Sequence, residues 1–240
     1  MATKSIKQTA LRTIKLEADS IAQLEQYIND DFVKAITVIA ASKGRVIISG
    51  IGKSAIVAQK IVATLNSTGT PSVFMHAADA IHGDLGMIQK EDVVMIISKS
   101  GVSPEIKVLL PMIKNFSSTL IAMVGNTESV LAKQADIILN TTVSQEACPN
   151  NLAPTSSTTA QMVMGDAVAV ALMEIKGFSS EDFAKYHPGG TLGKRLYLHV
   201  QDLFIHNEQP KVTADAPLQK VIMEMTSKRL GGRKSIMSTQ

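Results

Sequence analysis

The hydrophobic pattern of the chain changes period near residue 42. From Ser5 to Ala41 apolar residues recur at helical spacing, first Ile14, Ile21, Leu24 and Ile28, then Phe32, Ile36 and Ile39, which predicts helices. Beyond them come five short, apolar, β-branched runs: "RVIISG" (45–50), "SVFMH" (72–76), "DVVMIIS" (92–98), "TLIAMVG" (119–125) and "ADIILN" (135–140). Each of the first four is followed by small or polar residues and then a helical pattern, as in "KSAIVAQKIVATLNSTG". Strand–helix units repeated at this length predict a parallel sheet covered on both faces. Right-handed crossovers leave few topologies, and a five-stranded doubly wound α/β sheet is the economical one.

After the fifth run, Pro154 and the hydroxyls of Thr155, Ser156 and Ser157 predict a helix start, and Gly177 its stop. Ala160, Gly165, Ala167, Ala169 and Ala171 give that helix a small-residue surface. Such a surface lets a neighbour approach closely, so the helix is expected deep in the fold or at a subunit contact. From Gln201 the register is new, and "PKVTADAPLQKVIMEMTSKRLGG" reads as a short strand, a turn and an amphipathic helix. A segment of about 40 residues is too small for an independent core.

Composition agrees with a buried parallel sheet. Hydrophobic residues make up 45% of the 240, aromatics only 4%, and tryptophan is absent. The core is therefore aliphatic, as parallel sheets with both faces covered require. The 24 basic and 21 acidic residues are spread along the chain for a net +3, with no dense basic block to carry nucleic-acid binding. A single cysteine, Cys148, excludes an intrachain disulfide and fits a reducing compartment. The opening "MATKSIKQTALRTIKLEADS" has no apolar signal-peptide core, and no run is long enough to span a bilayer. The expectation is a cytoplasmic protein with no membrane partner.

Behind the first strand, "ISGIGKSA" (48–55) has the look of a phosphate cradle. A nucleotide P-loop needs glycine where this chain has Ile47, so that reading fails. A dinucleotide fingerprint would put its third glycine at Ala55 and its acid near Pro71, with Asp79 the nearest carboxylate. A plain strand-to-helix turn explains the loop alone. The third strand, however, ends in "ISKSGVSPE", where Ser98, Ser100 and Ser103 surround Gly101 before a helix led by Pro104. Hydroxyls and N–H groups at a helix N-terminus bind anions. If the first and third strands are neighbours, Ser54 and the Ser98–Ser103 loop converge on a small phosphate site, although each serine alone is explained by helix capping.

Five segments in this order, "GIGKS", "AIHGDLGMI", "MIISKSG", "EACPNNLAPTSSTTAQMVMGDAVA" and "HPGGTLGKRL", resemble the sugar-isomerase (SIS) domain of arabinose-5-phosphate isomerases. The resemblance runs from the N-terminal helices to Leu198. It implies a three-layer αβα sandwich with its five parallel strands in flavodoxin-like order, and a domain over residues 1–198. Residues 199–240 resemble a linker and the opening of a cystathionine-β-synthase-type (CBS) module, of which family members commonly carry two.

The resemblance implies interconversion of D-arabinose 5-phosphate and D-ribulose 5-phosphate through an enediolate, on the way to the Kdo of lipopolysaccharide. Such chemistry needs a base at the carbon acid, charge stabilisation and a grip on the phosphate, and no cofactor. By the same resemblance Lys53 supplies positive charge, and either Glu105 or Glu146 is the base, with Glu146 favoured and Glu105 assisting. His82 or His187 opens the sugar ring or moves protons between oxygens. Ser54, Ser98, Ser100 and Ser103 hold the phosphate. Taken singly, each of these has a plain structural explanation: a solvated lysine, a carboxylate at a helix start, a loop acid, a structural histidine. His82, Asp84, Cys148 and His187 match no zinc spacing, so no metal is required. His187 lies far along the chain, which leads to the expectation of sites shared between subunits of a homo-oligomer, and the resemblance implies that this is a tetramer. The competing readings are another sugar-phosphate isomerase of the same superfamily and a non-catalytic sugar-phosphate sensor.

Overall fold

The computed structural model describes residues 3–116, 118–190, 193–194, 211–227 and 234–236. They fall into two units, Met1–Phe183 and Ala184–Gln240. The boundary expected at 198/199 lies outside the described residues.

In the first unit, α1 (Thr3–Gln23) and α2 (Asp30–Ala41) precede the sheet. Asn29 caps α2, its side-chain oxygen accepting from the N–H groups of Asp31 and Phe32 at 3.1 and 3.3 Å. The strands are β1 (Val46–Gly50), β2 (Ser72–His76), β3 (Val93–Ser98), β4 (Leu120–Val124) and β5 (Ile137–Asn140). Between them run α3 (Lys53–Ser67), α4 (Ala77–Ala80), α5 (Pro104–Asn115) and α6 (Val130–Gln134), and α7 (Ser156–Ile175) follows β5. All strand pairs are parallel and the order is β2-β1-β3-β4-β5. This is the doubly wound, flavodoxin-like sheet that the sequence predicts.

Alternation along the strands sorts the core into two layers. Val46, Ile48, Met95 and Ile121 pack against α2, α3 and α7 on one face. Ile47, Val94, Ile96 and Ala122 pack against α4, α5 and α6 on the other. The small-residue helix does lie deep. In α7, Gly165 packs against Ile61 of α3 so closely that a Cβ would collide with that side chain. The helix ends before Gly177, with the Phe178 N–H donating to the Met173 carbonyl at 2.9 Å.

One connection is less helical than its pattern suggests. After β2 only α4 and a 3-10 turn at Asp84–Met87 form. The glycines of "HGDLG" work against a longer helix there.

The topology makes one crevice. β1 and β3 are adjacent, Gly50 beside Ile97, yet β1 leads into α3 on one face and β3 into α5 on the other. The two loops therefore diverge at the carboxyl ends of neighbouring strands, the switch point where doubly wound sheets bind ligands.

The second unit begins in α8 (Ser180–Tyr186). Further on, β6 (Lys211–Thr213), α9 (Leu218–Ser227) and β7 (Lys234–Ile236) form a strand–helix–strand motif with parallel pairing. The strand, turn and helix expected from the sequence are all present.

Candidate active site

Two loops frame the crevice. The first turns at Gly52, whose φ of 59° and ψ of −131° suit glycine alone. Lys53 then opens α3 with its side chain exposed. The Ser54 hydroxyl donates to the side-chain oxygen of buried Gln161 on α7 at 3.1 Å. The proton expected to face a phosphate is committed inside the protein.

The loop after β3 is arranged differently. Ser98 Oγ accepts from the Gly101 N–H at 3.0 Å, and Ser100 Oγ accepts from the Val102 N–H at 3.4 Å. Both keep their own hydroxyl protons without an acceptor among the described residues. Ser103 stands at the N-cap of α5 but makes no side-chain cap bond, and its Oγ is buried without a partner among the described residues. A serine in that position ordinarily accepts from the first helical turn. Three unspent O–H donors thus lie in the segment that leads from β3 into α5. Gly101 is held at φ 65°, packed so tightly on Ser129 that no side chain fits.

Glu146 lies across from this loop. Its carboxylate is fully buried, yet both oxygens are satisfied. Oε1 accepts from the Lys99 ammonium at 2.6 Å and from the Ser157 hydroxyl at 2.5 Å. Oε2 accepts from the Thr155 N–H at 2.8 Å, the Thr155 hydroxyl at 3.2 Å and the Ser157 N–H at 3.2 Å. These N–H groups belong to the start of α7, where helices have orphan donors and a positive dipole end. Burial pushes the carboxyl pKa up, but Lys99, Ser157 and the two N–H groups outweigh it and hold it at about 2. Asn151 fixes the loop by accepting from the Glu146 N–H at 2.6 Å. A buried carboxylate without such partners would be prohibitively costly.

Lys99 therefore joins the serine loop to Glu146. Glu105 is half-buried in the first turn of α5, the helix that the serine loop leads into. His82 is exposed on the turn after α4. His187 belongs to the second unit, where its carbonyl accepts from the Gly190 N–H at 3.0 Å and packs so close to Gly193 that a Cβ there would collide. Gly193 is thus a position beside His187 and Pro188 where no side chain fits.

The sequence reading missed Lys99, Thr155, Ser157, Gln161 and Asn151 as partners of the site. Lys99 carried a usable signal, a charge in the middle of an otherwise small, uncharged loop at a strand end. Ser157 and Thr155 read only as helix capping, because the carboxylate that they hold comes from another segment.

Residues 39–171 match the family described as the SIS domain. The arabinose 5-phosphate isomerase KdsD of Pseudomonas aeruginosa is 55% identical over 224 residues, covering 93% of this chain and 69% of the relative. The arabinose 5-phosphate isomerase KdsD of Escherichia coli K12 is 47% identical over 226 residues, covering 94% and 69% respectively. Among solved structures, a protein of E. coli CFT073 in complex with arabinose 5-phosphate is similar with a TM-score of 0.75 at 39% identity, over 78% of this chain and 100% of that one.

Proposed function

The chain belongs to the SIS-domain family, and from that premise we infer that it interconverts D-arabinose 5-phosphate and D-ribulose 5-phosphate. The reaction is an aldose–ketose isomerisation: the C2 proton is taken to a base and returned to C1 through a cis-enediolate, while O2 loses its proton and O1 gains one. The observation that carries the reading is the junction, through Lys99, of a serine loop with unspent donors to a buried, ionised carboxylate. One end of the site suits a phosphate and the other a carbon acid.

In this reading Ser98, Ser100 and Ser103 donate to the phosphate together with the free N–H groups of α5. Ser54 contributes through its backbone, since its hydroxyl proton goes to Gln161. Glu146 is the base and Glu105 assists. Lys53 neutralises charge on phosphate or enediolate oxygens. His82 or His187 opens the ring and moves the proton between O2 and O1, as imidazole can near neutral pH. No cofactor or metal enters the sequence of steps. We further propose cytoplasmic activity supplying Kdo synthesis, residues 199–240 as the start of a CBS-type module, and a homotetramer whose sites receive His187 from a second subunit. Among the described residues no helix is long and apolar enough to cross a membrane.

The test is incubation of purified protein with arabinose 5-phosphate, ribose 5-phosphate and glucose 6-phosphate in chelator. Ketose formation from the first alone is expected. Turnover of another sugar phosphate instead would make it a different isomerase, and binding without turnover a sensor. For the shared site, His187→Ala and Glu146→Ala subunits mixed in verified hetero-oligomers should recover activity, and no recovery would count against it.

A further inference from the structure

We propose that Lys99 is a phosphate-triggered guard on Glu146: with the site empty its ammonium holds the carboxylate, and a phosphate seated in the serine loop draws the ammonium away and frees the base. The inference rests on the phosphate and base roles proposed above and adds the coupling between them.

Three features lead to it. Lys99 stands between Ser98 and Ser100, inside the loop that offers its hydroxyl protons to an anion, yet its ammonium is 2.6 Å from Glu146 Oε1. Its side chain is 46% exposed whereas that of Glu146 is fully buried, so the lysine is the partner free to swing. Finally, Glu146 accepts five hydrogen bonds, which leaves a carboxylate too stabilised to take a proton from carbon.

A phosphate dianion at Ser98, Ser100 and Ser103 carries more charge than the carboxylate and lies on the lysine's own loop, so it competes for the ammonium directly. Departure of Lys99 removes the one full charge among the five donors and leaves Ser157 and Thr155 to keep the carboxylate oriented. Glu146 then faces Cys148 from its own loop, whose ionisation it opposes, and the positive end of α7. A buried carboxylate that loses a cation becomes more basic. Phosphate binding is thereby converted into reactivity at a remote carbon, the use of non-reacting substrate groups that raises kcat rather than affinity. It also keeps a buried base from acting on sugars that lack the phosphate.

The experiment uses the whole chain, inorganic phosphate as the probe, and D-arabinose as a substrate with no phosphate of its own. Crystal structures with and without phosphate are expected to show the Lys99–Glu146 pair open only when phosphate occupies the serine loop. Phosphate seated there with the pair intact overturns the guard and leaves the phosphate site standing; phosphate absent from the loop overturns both. In turnover, phosphate should stimulate the wild-type protein on D-arabinose on the order of tenfold. Lys99→Gln should turn over D-arabinose faster than wild type and respond to phosphate no further, while Lys99→Arg should restore the stimulation. The acid limb of kcat/KM for Lys99→Gln should rise by about 1–3 pH units, which loss of a purely structural lysine would not cause. Stimulation of Lys99→Gln equal to that of wild type overturns the guard. An opened pair without any stimulation removes Glu146 as the base and keeps the release.

Discussion

The Ser54 hydroxyl donates to the side-chain oxygen of Gln161 at 3.1 Å, tying the first turn of α3 to the second turn of α7. The bond commits a proton that a phosphate would otherwise receive. Ser54→Ala is therefore expected to leave a buried amide oxygen unsatisfied and to cost about 1–3 kcal/mol of stability, while raising KM for arabinose 5-phosphate less than about threefold. Urea unfolding and steady-state kinetics measure the two effects. A large KM increase without loss of stability would show the hydroxyl on the phosphate instead.

Ser103 should behave in the opposite way. Its Oγ is buried with no partner among the described residues, so Ser103→Ala is expected to leave stability within about 0.5 kcal/mol. A hydrogen bond to a charged ligand contributes about 1.5–3 kcal/mol, which corresponds to KM rising on the order of tenfold to a hundredfold. An unchanged KM would remove Ser103 from the phosphate site.

Glu146→Gln should lower kcat by roughly a hundredfold to ten-thousandfold while arabinose 5-phosphate still protects the protein in a thermal melt. Near-normal turnover would transfer the role of base to Glu105.

The same carboxyl makes stability depend on acid. Its ordinary pKa of 4.5 is held at about 2 in the fold, so its contribution is complete above pH 4.5 and is lost as the pH falls toward 2. By linkage that contribution is at most about 3 kcal/mol. Asp92 adds to the trend: burial pushes its pKa up, but hydrogen bonds from Arg45 and Gln89 outweigh it and leave it low. Urea midpoints followed from about pH 5 to 2.5 should fall more steeply for wild type than for Glu146→Gln. Parallel curves would show that Glu146 is not held below its ordinary range.

Gly165 and Ile61 set the distance between α7 and α3. Gly165→Val should cost about 1–3 kcal/mol by overpacking. Adding Ile61→Ala should recover part of it, a coupling that a double-mutant cycle reads directly. Because α3 begins with Lys53 and Ser54, the single variant should also raise KM, and the pair should bring it back.

Much of the site could be read along the chain because its parts are local. Ser98, Ser100 and Ser103 lie within one loop, and Gly50 and Gly52 within another, so spacing alone marks them as strand-end turns. Glu146 stood out only through resemblance, since nothing within "SQEACP" says that the side chain is buried or ionised. Lys99 was visible as a charge, but its partner lies 47 residues on, a relation that no local pattern encodes.

The sequence by itself determined the five buried strands and the helices around them, and narrowed α7 to a deep position or a subunit contact. These follow from the period of apolar residues and the size of side chains, which act between near neighbours. Only the tertiary structure decided that the Ser54 proton goes to Gln161, that Ser103 finds no partner among the described residues, and that Lys99 and the start of α7 share the Glu146 charge. Each depends on groups from separate segments competing for one hydrogen-bond partner, and that competition exists only once β1 and β3 lie side by side and α7 packs against α3.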